Sequence, residues 1–110
     1  MLDETLAQFE THIRASETIP TEKKVELLQL LANLKAEIAS LEHTHAAHAE
    51  SVRGLAERSM QEAMRQPQDP QLTTSALQEL SESVAALEVS HPRLVSAVNA
   101  ISMMLANIGI

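Results

Sequence analysis

The chain has no cysteine, no tryptophan and no tyrosine, one phenylalanine (Phe9), and two glycines, Gly54 and Gly109. Without cysteine there can be no disulfide, no zinc–thiolate site and no thiol nucleophile, and the chain suits a reducing compartment. The shortage of aromatic and glycine residues argues against all-β and α/β folds, which need bulky strand residues and glycine at their turns. Positive charge is scarce as well. Fifteen acidic residues stand against eight basic ones, for a net charge of −7. Lys23 and Lys24 are the only adjacent cations. Direct nucleic-acid binding is therefore disfavoured, because it draws most of its affinity from clustered Lys and Arg. Met1 is followed by Leu2, Asp3 and Glu4, the wrong charge for the start of a secretory signal.

Catalytic patterns are missing too. There is no Gly-rich phosphate loop, HExxH, nucleophile elbow or DxDxDG calcium loop. Ser81, Ser83 and Ser90 read as solvent-facing or capping residues, and Glu79, Glu82 and Glu88 as a solvated acidic face. The expectation is a protein that is not an enzyme, with no catalytic residue and no cofactor.

What is present is helical. Leu, Ala, Glu and Gln dominate, all strong helix formers. Two apolar ladders rise in alternating steps of three and four. The first runs Leu27, Leu31, Leu34, Ile38, Leu41, His45, His48, Val52, Leu55 and Ser59; the second runs from Leu77 through Leu80, Val84, Leu87, His91, Leu94, Val98, Ile101 and Leu105 to Ile108. A mean step near 3.5 is the mark of helices wound round each other.

The spacing predicts helices over about 2–15, 21–65, 73–90 and 91–108, with a turn at 66–72. Asp3 and Glu4 favour the start of the first helix, and Pro20 ends the break after it, with Thr21 as cap. The second would span roughly 65 Å at a rise of about 1.5 Å per residue. Gly54 lies off its seam. Pro67 and Pro70 mark the turn, and Thr73 or Thr74 is the expected cap beyond it. Pro92 kinks or briefly breaks the last helix, with Ser90 able to cap a fresh start and the two pieces nearly collinear. Gly109 is placed to end it.

The expected fold is all-α: a long antiparallel, coiled-coil-like helical hairpin in one domain (1–110), with the short first helix packed at one end. Its register places Leu31 opposite Ile108, Leu34 opposite Leu105, Ile38 opposite Ile101, Leu41 opposite Val98, Val52 opposite Leu87 and Leu55 opposite Val84. These residues and Leu94 form the expected core and interface. Leu28, Leu30, Val95 and Met104 flank the seam where the first helix can cover them. Met60, Met64 and Val89 have no such cover, and self-association, with a dimer favoured, would bury such groups. A protein partner of unknown identity is also expected.

His43, His45 and His48 are close in sequence, and the register puts His48 opposite His91. His45, His48 and His91 could share a metal, but a polar layer that fixes register is the favoured reading, since metal sites usually add carboxylate or thiolate support. Stacked imidazoles would also repel once protonated, loosening the bundle as pH falls through about 6.5. Leu94–Ile110 carries no charge. It is short of the roughly 20 residues of a membrane span and reads as a buried bundle helix rather than an anchor.

The sequences Ser90-His91-Pro92-Arg93-Leu94 and Leu105-Ala106-Asn107-Ile108-Gly109-Ile110 resemble the ending of a bacterial family, domain of unknown function 4404. The N-terminal pattern, a short amphipathic helix and then a leucine-rich helix after a Pro-Thr break, is similar too. The stretch from about His43 to Asp69 departs from the family pattern in being longer. The resemblance implies a small, soluble, cytoplasmic helical protein of bacterial origin. It implies no activity, ligand or catalytic residue.

Overall fold

The structure is a computed structural model that describes residues 2–65 and 69–107. The described residues form five helices: α1 (Leu2–Ala15), α2 (Thr21–Thr44), α3 (Ala46–Met64), α4 (Pro70–Ala85) and α5 (Pro92–Asn107). No strand occurs among the described residues.

The ladder from Leu27 to Ser59 does not hold one helix. His45, at φ −143° and ψ 67°, leaves the helical region and divides α2 from α3. Its N–H donates to the Leu41 carbonyl at 2.8 Å, and its own carbonyl accepts from Ala49 N–H at 2.9 Å. One residue therefore makes the corner while both helices keep their terminal bonds. The physical reason lies in the ladder itself. At His45 and His48 its rungs are polar, so no apolar burial holds a straight helix together there, and Thr and His are weak helix formers. The molecule measures 39 × 25 × 23 Å, too short for a straight helix of roughly 65 Å.

The second ladder is cut as well. Pro92 denies a helical conformation to the residue before it and has no N–H to donate. α4 ends at Ala85, a turn occupies 86–90, and α5 starts at Pro92. His91 N–H bonds to the Leu87 carbonyl at 2.7 Å, and the His91 carbonyl receives Leu94 N–H at 3.1 Å. α4 and α5 pack against each other instead of running collinearly. The expected hairpin is thus folded in half. α2, α3, α4 and α5 each pack on the next, and α5 closes the ring on α2.

Two caps differ from expectation. Thr21 is the first residue of α2, behind Pro20, and makes no side-chain cap. Helix α4 begins at Pro70, earlier than Thr73, because the Asp69 carboxylate accepts from Gln71 N–H at 3.0 Å and proline tolerates a first-turn position. Thr73 is instead buried, its hydroxyl donating to the Asp69 carbonyl at 3.3 Å. The shortened connection moves the register. Leu30 borders Ala100 and Met104, and Glu37 borders Pro92 and Arg93, which puts Ile38 at the level of Leu94 and not of Ile101.

One core runs through the five helices. Leu31, Leu34, Ile38 and Leu41 of α2 are buried in it, as are Val52, Val84 and Leu87. So are Leu94, Val98, Ile101 and Leu105 of α5. Leu55 is only half-buried, while its neighbour Ala56 is fully buried. The corner resets the buried stripe of α3 to Ala49, Val52, Ala56, Ser59, Met60 and Ala63. Ile108 and Gly109 lie outside the described residues, as do Gln66, Pro67 and Gln68 of the expected turn.

Helix α1 runs antiparallel to α2, with Asp3 at 3.6 Å from Lys35 and the Arg14 carbonyl accepting from Lys24 at 3.0 Å. Phe9 and Ile13 are fully buried. α1 packs chiefly on α3 and makes no close approach to α5 among the described residues. It therefore does not cover the face of α2 and α5 that carries Leu30 and Met104, as the sequence led one to expect. Met60 is buried and Met64 half-buried, so neither needs the cover that self-association was expected to supply.

Candidate functional site

Two places in the fold differ from plain apolar packing. The first is the end of the bundle where both corners meet. Thr44, the last residue of α2, has its hydroxyl oxygen at 2.9 Å from His45 Nδ1 and 2.8 Å from His91 Nε2. The hydroxyl also lies at 3.4 Å from the Leu41 carbonyl. It has one proton to give, so at least one of the two ring nitrogens must donate to it. The two rings stand edge to face, with centroids 5.5 Å apart. This arrangement ties the α2–α3 corner to the α4–α5 turn.

His48 does not face His91, as the expected register had it. Its Nε2–H donates to the Ser83 carbonyl at 2.7 Å, and the Ser83 hydroxyl lies at 3.4 Å. Ser83 sits in the last turn of α4, where carbonyls lack helical partners, so His48 acts as a side-chain cap across the bundle. Glu42 and Arg53 form an ion pair that joins α2 and α3 on either side of the corner.

The three histidines are thus engaged with protein groups: His45 and His91 through Thr44, His48 through Ser83. No three His, Cys, Asp or Glu side chains come together as a possible metal site among the described residues. The polar layer foreseen near the middle of a long hairpin lies instead at one end of a folded one. The signal that could have found it was the pair of polar rungs beside a weak helix former at Thr44.

The second place is an open groove between α2 and α5. One stretch, of about 470 Å³, lies between Gln29 and Leu30 of α2 and Met103 and Met104 of α5. The adjoining stretch, of about 530 Å³, reaches Glu37 on α2 and Arg93 on α5. Leu30, Asn33 and Ala100 border both. The floor is made of small or apolar side chains, with Ala36, Ala97 and Ala100 leaving the backbones within reach of another chain. Met103 is 68% exposed on its edge. Val25, 60% exposed, stands one turn before Gln29 on the same face of α2. The sequence pointed to Leu30 and Met104 as seam-flanking; what it hid was that α1 turns to α3, so that Leu30 stays half-buried at the groove while Met104 is buried in the core without it.

No described helix is long and apolar enough to cross a membrane. No curated protein and no solved structure matches the chain. A family model matches from Leu27 onward, across the His43–Asp69 stretch and through both corners, leaving α1 outside the match. On that match over residues 27–110, the chain belongs to the family described as Domain of unknown function (DUF4404).

Proposed function

We propose that this protein is a small structural module that works by helix packing, associating with itself and with a protein partner, and that it catalyses no reaction. The observation that carries this reading is the α2–α5 groove. It is open and lined by small and apolar side chains together with Glu26, Glu37 and Arg93, a lining that suits helix packing better than chemistry on a substrate. An exposed apolar strip with a polar edge is the usual form of a surface that receives another helix. Acidic net charge and scattered cations favour a protein partner over a nucleic acid. Reducing cytoplasm is the compartment that the cysteine-free composition suits.

Light scattering coupled to size exclusion tests the first half of the reading. The expected result is a particle heavier than the 12.0 kDa chain, with dimer as the leading species. A strictly monomeric protein at high micromolar concentration would remove self-association. Co-purification of tagged protein from its source tests the second half, and recovery of the chain alone would leave only the homo-oligomer.

A further inference from the structure

We propose that the α2–α5 groove is the seat of a second copy of this chain, held by a two-fold axis that lies along the groove. The inference rests on the self-association reading and assigns it a surface and an arrangement.

Charge selects the occupant. The groove-lining residues of α2 include two acids, Glu26 and Glu37, and no base; those of α5 include one base, Arg93, and no acid. Glu26 has Lys23 within 4.0 Å, whereas Glu37 and Arg93 form no ion pair within the chain among the described residues. The two border the same end of the groove from opposite helices. A two-fold axis running along the groove keeps every residue at its own level and exchanges the helices. α5 of the second copy then lies over α2 of the first, antiparallel, and the reverse contact forms beside it. Arg93 meets Glu37 of the second copy, and this contact occurs twice.

The other face-to-face arrangement has its axis across the groove. It lays α2 on α2 and brings Glu26 toward Glu37 of the second copy. Like charges directly opposed oppose docking, so the pattern discriminates between the two geometries. The chosen axis also directs Met103 at the opposite α2, where Leu30 and Asn33 border the recess. Of the three large apolar side chains exposed among the described residues, Met103 is thereby turned toward Leu30, and Val25 stands on the same face of α2 as the groove-lining Gln29. The third, Val89, stands apart in the α4–α5 turn.

The test uses the full chain and three exposed or half-exposed positions, with circular dichroism as a check that each variant keeps its helices. Met103→Glu should weaken the dimer at least tenfold by sedimentation equilibrium. Arg93→Glu and Glu37→Arg should each weaken it severalfold. Combined, the two should return the affinity to within about twofold of wild type, since the pair is restored with its signs exchanged. A wild-type monomer would overturn the self-association reading along with this one. A wild-type dimer untouched by Met103→Glu would overturn the groove alone. Additive losses in the charge-swapped double variant would overturn the two-fold along the groove.

Discussion

At the scale of single residues, several side chains have one clear physical role each. Gly54 lies in the interior of α3, exposed, and a Cβ built there would meet nothing within 4 Å. Gly54→Ala should therefore raise unfolding free energy by about 0.5–1 kcal/mol, because only backbone entropy changes; a loss in urea titration would contradict the open space. Asp69 provides the opposite case. Asp69→Ala should lower stability by about 1 kcal/mol through loss of the Gln71 N–H bond, while Thr74→Ala, at the cap suggested by sequence, should be close to neutral. Leu34 is buried at the level where α2 packs on α5, and Leu34→Ala should destabilise by about 2–5 kcal/mol with the remaining cavity deciding where in that range it falls. Thermal and urea melts of the four variants rank these effects directly.

At the scale of elements, the apolar stripes were legible and the breaks were only half so. The run Leu27, Leu31, Leu34, Ile38, Leu41 is buried rung for rung, because a stripe of leucines in a good helix-forming context leaves one solution. Helix α1 is likewise bounded as its Leu2, Leu6, Phe9, Ile13 pattern suggests. Pro92 announced an interruption, though not that the chain would turn back on itself. His45 announced nothing in the way proline or glycine does. The ladder keeps its numerical phase across the corner, and only the chemistry of the rungs changes, from Leu and Ile to His. Register was lost for a local reason: Asp69 and Pro70 start α4 three residues before Thr73, and Ile38 moves to the level of Leu94. Paired cysteines report this shift. Positions 38 and 94 should cross-link under mild oxidation, and efficient bridging of 38 with 101 instead would restore the longer register.

At the scale of the whole molecule, the folded hairpin and the straight one differ in outline more than in contacts. α2 packs on α5 and α3 on α4 in both, but only the folded form adds α2 against α3 and α4 against α5. Small-angle scattering of the monomeric Met103→Glu variant separates them. A radius of gyration close to the 13.1 Å of the Cα atoms, allowing a little for side chains and hydration, is expected. A rod with a longest dimension of roughly 65 Å would mean that the His45 corner opens in solution. The proposed self-association rests on α1 packing mainly on α3, which leaves the α2–α5 face uncovered by that helix.

The ring of helices also has a kinetic consequence. α1 with α2, α2 with α3, α3 with α4 and α4 with α5 are all neighbours along the chain. Among the described helices, only α1 on α3 and the closure of α5 on α2 bring distant segments together. Such a chain closes mostly short loops, and its refolding belongs with the fast helical proteins, on the microsecond-to-millisecond scale. The closure of α5 on α2 spans the longest stretch of chain and so carries the largest loop-closure entropy of these contacts. The proposed docking face is built from those two helices, so it requires that closure to have formed.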